Sequence, residues 1–199
     1  LLGLMTGSEG LLGVITEVIV KILKKPEAVK AALIGFPSIE DAGQCVSEII
    51  AKGIIPAGME IMDKALTKAT NDYSKAGYPV DAEAMMIVEL DGTETEVSEL
   101  IKRVEDIAKK NNCSSIKINK SEEERLKFWA GRKAAFPACG DLAPDYMCMD
   151  GSIPRGKLAE VLKEIQRLSK KYELPVANAF HAGDGNLHPL IMFNANDPE

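Results

Sequence analysis

Both histidines of this 199-residue chain fall in one stretch, His181-Ala182-Gly183-Asp184-Gly185-Asn186-Leu187-His188-Pro189. A neutral imidazole is a common metal ligand and titrates near neutrality. Two converging rings with a carboxylate close by would therefore make a metal or acid/base site. An apolar run, Val176 to Phe180, precedes the stretch and another, Leu190 to Phe193, follows it, so it reads as strand, tight polar turn, strand. Gly183 and Gly185 allow turn angles that other residues resist. The same residues would also serve as a polar hairpin with one satisfied histidine on each side, and spacing does not separate the two readings.

Two further groups carry possible chemistry. On a predicted helix from Glu122, residues Arg125, Trp129 and Arg132 share a side. Arg132 and Lys133 could bind an anion, and an arginine fork suits a carboxylate. The alternative is a solvated basic edge on an amphipathic helix. Near the start, Gly3, Gly7, Gly10 and Gly13 precede Val14 to Leu23, which reads as a strand. Such glycines let a backbone approach a phosphate or ring system, or simply turn the chain.

The scaffold for these groups reads as alternating strands and helices. Lys24-Lys25-Pro26-Glu27 is a candidate boundary, and Ala28 to Phe36 is an expected strand. Ser38 caps a helix to about Lys52, Ile54 to Ile61 is a second strand, and Met62 to Ser74 a helix. Ala84 to Leu90 is strand-like, and Thr93 or Thr95 caps a helix to Lys110. Within that helix Val97, Leu100, Ile101, Val104 and Ile107 recur at helical period. Ser114 to Ile118 is the next strand. Two strand-helix-strand units thus follow one another, in the pattern of two α+β modules packed through their sheets. Ser121 and Glu124 form an expected capping box. Tyr146 to Asp150 is a short strand, and Pro154 opens a helix striped by Leu158, Val161, Leu162, Ile165 and Leu168.

Composition narrows the classes. The chain is 46% hydrophobic, which fits a soluble globular core, and its net charge of -6 argues against duplex nucleic acid as a partner. No apolar run approaches a membrane span. Cys45, Cys113, Cys139 and Cys148 form no CxxC pair, the pattern of reduced thiols in a cytoplasmic protein. The chain opens without Met and stops at Asp197-Pro198-Glu199 soon after an expected strand, which reads as a fragment.

Two motifs carry a resemblance. Gly7-Ser8-Glu9-Gly10-Leu11-Leu12-Gly13-Val14-Ile15-Thr16-Glu17 resembles the signature ending the flavin-binding domain of FAD-linked 2-hydroxyacid oxidoreductases. His181-Ala182-Gly183-Asp184-Gly185-Asn186-Leu187-His188 is similar to the metal and substrate loop of their C-terminal domain. Tyr146 to Pro154 resembles the form found in the glycolate oxidase and D-lactate dehydrogenase branch. The resemblance implies that residues 1–25 are the tail of the FAD-binding domain, with Glu9, Gly10, Gly13 and Ile15 near the flavin nucleotide. Residues 26–199 would be a substrate, or cap, domain truncated at its C-terminus. The implied fold is α+β, with tandem ferredoxin-like units, a broad antiparallel sheet and helices on one side.

The same resemblance implies His181 and His188 as ligands of a divalent metal such as zinc, Arg132 as the grip on a substrate carboxylate, and Asn186 as a polar residue beside the substrate. It implies oxidation of a small D-2-hydroxy acid, glycolate or D-lactate, by hydride transfer to FAD. Electrons would leave to a quinone, an electron-transfer flavoprotein or an iron-sulfur subunit. The place would be the cytoplasm, with partner subunits giving a peripheral position at the inner membrane. A further glutamate ligand and a histidine base are expected beyond the C-terminus, so this piece by itself is expected to be inert and free of FAD. D-2-hydroxyglutarate dehydrogenases carry a lysine where this chain has Cys148, which favours a small monocarboxylate. Two readings compete: a non-catalytic module for ligand binding or assembly, and a metal-dependent hydrolase using His181, Asp184 and His188.

Overall fold

In the first long strand of the body, side chains alternate between two apolar environments. Ala32, Ile34 and Phe36 enter one buried cluster, while Ala31 and Leu33 enter another. A strand buried on both faces must lie inside a sheet covered on both sides. The computed structural model of the chain describes residues 1–197 and shows that arrangement. The elements are α1 (Leu2–Met5), β1 (Ala28–Phe36), α2 (Ile39–Ala51), β2 (Gly58–Asp63), α3 (Lys64–Ser74), β3 (Ala84–Gly92), α4 (Glu94–Lys110), β4 (Ser115–Ile118), α5 (Glu122–Lys133), α6 (Ala135–Ala138), β5 (Asp145–Cys148), β6 (Gly151–Ser152), α7 (Leu158–Tyr172), β7 (Val176–His181) and β8 (Asn186–Phe193).

The strands form one antiparallel sheet in the order β4-β1-β3-β2-β7-β8-β5, with β6 pairing β8. The first four strands in that order, with α2 and α4, make one ferredoxin-like unit. Thus the two strand-helix-strand units do not sit side by side as modules. They interleave, because β1 pairs with β3 along its whole length, from Ala28↔Gly92 to Phe36↔Ala84. The second unit comes from later residues: β5, α7, β7 and β8, whose strand order β7-β8-β5 repeats the β2-β3-β1 order of the first. The units join edge to edge where Ile61 pairs with Phe180 and Met62 with Ala179.

The expectation of helices on one side is corrected. Buried residues of α2, α4 and α7 pack with one face, whereas Leu66 of α3, Phe128 of α5 and Ala135 of α6 pack with the other. Two-sided strands leave no alternative, since each face of the first unit is apolar. Phe36, Phe128 and Phe180 are among the largest fully buried side chains, and burying each stabilises the fold by about 1.5–3 kcal/mol.

Local chemistry sets the helix starts. Ser38 accepts from Asp41 N and Thr93 forms a capping box with Glu96. Ser121 accepts from Glu124 N as expected, but the Glu124 carboxylate accepts from Lys120 N instead of closing the box. The expected strand from Val14 to Leu23 is not formed; residues 13–26 have no regular secondary structure. Val14 is largely exposed and Ile19 fully so. A strand needs a neighbouring edge to satisfy its backbone, and among the described residues none pairs with this segment. No helix in the described residues is long and apolar enough to cross a membrane.

Candidate functional site

The β7–β8 hairpin places both histidines on one sheet face. Its register sets His181 opposite Asn186 and Ala179 opposite His188, so the two rings are diagonal neighbours across the ladder. Their centroids lie 5.0 Å apart with planes at 89°. The loop between them is held on several sides. Gly183 N donates to Met59 O at 3.1 Å, Ile153 N donates to Gly185 O at 2.8 Å, and Arg155 Nη1 donates to Gly183 O at 3.2 Å. Gly185 has φ +73°, the left-handed conformation the sequence pattern calls for.

Continuing the β2–β7 register from Ile61↔Phe180 brings Glu60 opposite His181. Glu60 Oε1 lies 2.7 Å from His181 Nδ1, and Glu60 Oε2 accepts from Arg132 Nε at 3.0 Å and lies 3.0 Å from Nη2 in the same ion pair. Glu60 and Arg132 are both buried, at 7% exposure. Two charges at that depth are tolerated because each is the other's partner. Arg132 reaches the cluster because α5 packs beneath this face. Gly131 lets the helix approach Tyr78, whose hydroxyl donates to Phe128 O.

His188 Nδ1 is 3.6 Å from Asp150 Oδ1, and its ring meets Phe136 edge-on with centroids 6.5 Å apart. Burial pushes the His188 imidazole below its usual pKa, aided by the charges of His181 and Arg132 and opposed by Asp150 and Glu60. This ring is therefore biased to the neutral form in which it can donate a lone pair. Asn186 lies at the mouth of the hairpin, and its buried Oδ1 has no hydrogen-bond partner among the described residues.

The structure thus brings together His181, His188, Arg132 and Asn186. Glu60, 121 residues from His181, joins them unannounced. The available signal was a lone carboxylate in the apolar run Met59-Glu60-Ile61-Met62. Asp184, the carboxylate closest in sequence, is instead exposed in the loop. The other basic residues of α5 separate from the site. Arg125 and Trp129 both donate to Glu89, and Lys133 is exposed. Glu9, Gly10, Gly13 and Ile15 lie in the exposed N-terminal segment. No hydrogen bond or ion pair among the described residues ties them to the histidines.

For a divalent metal, the fit is half a site. His181 and His188 supply two imidazoles, and among the described residues no group of three or more His, Cys, Asp or Glu could hold an ion. For FAD, the glycines at Gly7 and Gly10 have positive φ and open space about them, but no cradle closes around them in the described residues.

Comparison with known proteins agrees with this architecture. The chain is 56% identical over its whole length to the glycolate oxidase subunit GlcD of Escherichia coli K12, spanning 40% of that protein. It is 39% identical to GlcD of Bacillus subtilis, over 94% of the chain and 40% of the relative. It is 32% identical to the mitochondrial D-lactate dehydrogenase [cytochrome] of Arabidopsis thaliana, over 98% of the chain and 35% of the relative. The chain therefore spans about two fifths of the curated relatives it matches. Among solved structures, alkyldihydroxyacetonephosphate synthase shares the fold, with TM-score 0.64 and 20% identity over 95% of this chain and 40% of that one. p-Cresol methylhydroxylase with substrate bound does so with TM-score 0.66 and 14% identity, over 87% and 40%. Residues 25–199 match the family described as FAD linked oxidases, C-terminal domain. With nearly the whole chain inside that match, and with relatives of this identity, the protein belongs to the FAD-linked oxidases through their C-terminal domain.

Proposed function

We propose that this chain is the substrate domain of a flavoprotein that oxidises a small D-2-hydroxy acid, glycolate or D-lactate, to the 2-oxo acid. The observation that carries the proposal is the cluster on one sheet face: two imidazoles 5.0 Å apart with the buried Glu60–Arg132 pair beside them. A 2-hydroxy acid presents a carboxylate and an adjacent hydroxyl, and the cluster offers one recognition element for each. Glu60 occupies the Nε–Nη2 edge of Arg132, so the Nη1–Nη2 end of the fork is the part that would hold the substrate carboxylate. His181 and His188 would hold a divalent cation against the hydroxyl oxygen, and the unpartnered Asn186 Oδ1 would accept a hydrogen bond from substrate or from an ordered water. When bound, the cation would acidify the hydroxyl and FAD would accept the hydride.

In this reading residues 1–25 belong to the FAD-binding domain, with Glu9, Gly10, Gly13 and Ile15 near the nucleotide. The relatives named as GlcD subunits support an assembly with other subunits, which we place in the cytoplasm, with a quinone or an electron-carrying partner taking the electrons. Cys148, where a cation would be needed for a second carboxylate, favours a monocarboxylate.

The test is anaerobic flavin reduction in the complete protein with glycolate, D-lactate and D-2-hydroxyglutarate. His181→Ala and His188→Ala are each expected to slow reduction at least about 100-fold, and Arg132→Met to weaken substrate binding while sparing flavin content. Full reduction rates in both histidine variants would overturn the proposal. A complete protein that no hydroxy acid reduces would favour the binding module.

A further inference from the structure

A single carboxylate touches both halves of the cluster. Glu60 Oε1 is 2.7 Å from His181 Nδ1, and Glu60 Oε2 accepts from Arg132 Nε at 3.0 Å, with Nη2 of the same ion pair also 3.0 Å away. Arg132 Nε takes up Oε2 of Glu60, which places Oε1 as the acceptor facing His181. The hydrogen in its contact with His181 must therefore sit on Nδ1. That leaves Nε2 with its lone pair free, the form an imidazole needs to bind an electrophile. Among the described residues His188 has no equivalent support. Asp150 stands 3.6 Å from its Nδ1, beyond hydrogen-bond length, and is exposed.

We propose that Glu60 is a positioning residue: one buried side chain sets the tautomer of His181 and the orientation of the Arg132 fork together. The grip on the substrate carboxylate and the donor facing its hydroxyl are then registered against one rigid point on β2. What the site binds rests on the function proposed above. The tautomer of His181 does not, and it can be read without any ligand.

The 199-residue chain contains only two histidines, so labelling histidine with 15N gives two resolvable imidazoles. Long-range 1H–15N spectra at pH 8.5 are expected to show His181 as the Nδ1–H tautomer, assigned by its loss in His181→Gln. Glu60→Gln preserves shape. With its amide oxygen turned to Arg132, its NH2 group faces His181 and should convert that ring to the Nε2–H tautomer. An Nε2–H tautomer in the wild type, or an Nδ1–H tautomer that persists in a folded Glu60→Gln variant, would overturn the proposal. The wild-type measurement stands even if the variant fails to fold. The tautomer reports on Glu60 alone, and the flavin-reduction rates of the histidine variants in the complete protein report on the proposed function, so failure of one is distinguishable from failure of the other.

Discussion

At Gly185 the backbone turns with φ +73°, and an added Cβ would collide with the carbonyl oxygen of Ile153. That carbonyl is fixed in turn, because Ile153 N donates to Gly185 O. Gly185→Ala would combine left-handed strain of about 1–2 kcal/mol with a backbone clash that no rotamer relieves. The variant is expected to melt several degrees lower by circular dichroism, and to move the His181 and His188 imidazole resonances together. Glycine at this position was legible in the sequence, since the turn between two apolar runs demanded it. The partner of His181 was not. Glu60 meets it through strand pairing across 121 residues, and only the β2–β7 register determines which residue lies opposite. Arg132 was legible only as a residue that could pair with a carboxylate, and the carboxylate the structure gives it is Glu60. That its Nε is already engaged was visible only with Glu60 in place.

Among the elements, α3 shows how a cap and a strand share one carboxylate. Asp63 ends β2, caps α3 by accepting from Leu66 N, and accepts from Asn178 Nδ2 on β7 at 2.8 Å. Burial pushes its carboxyl up to about 6, against the hydrogen bonds from Leu66 and Asn178 that favour its charge. A folded pKa above the unfolded value of 3.8 means that Asp63 contributes stability below pH 3.8 and loses it as pH rises through 6. Asn is as good an N-cap as Asp. Asn178 Oδ1 has no partner among the described residues, so a turned amide could accept from an asparagine at position 63. Asp63→Asn is therefore expected to exceed wild-type stability by about 1–2 kcal/mol at pH 7.5 and to lose that advantage by pH 3.5, measured as urea midpoints. The helix spans themselves were readable, because capping residues and helical periodicity are local. The start of β2 was misplaced, at Ile54 instead of Gly58, since Pro56 cannot donate to a ladder.

At the scale of the whole molecule, the described residues form a two-sided sheet and an N-terminal segment without a fold partner. Leu11, Val14, Val18, Ile19, Val20, Ile22 and Leu23 are all largely exposed, a run of apolar surface that favours association. Removing residues 1–23 is expected to reduce self-association by light scattering and to leave the melting temperature of the body within about 2 °C. A large fall in melting temperature would show that the segment packs on the sheet. The broad antiparallel sheet followed from the order of strands and helices together with the resemblance. The interleaving of its first unit came with the ferredoxin-like resemblance and not from the strand and helix pattern, and helices on both faces came from neither.

What the chain decided by itself was everything carried by neighbours in sequence: caps, turn glycines, apolar periods, and the hairpin that sets His181 and His188 on one face. Each depends on backbone geometry within a few residues, so the pattern is written where it acts. The tertiary structure alone decided which strands became neighbours, and therefore that Glu60 stands between His181 and Arg132. Pairing a strand with one of several possible edges is a competition among distant segments, settled by burial of both faces at once, and no local spacing records the winner.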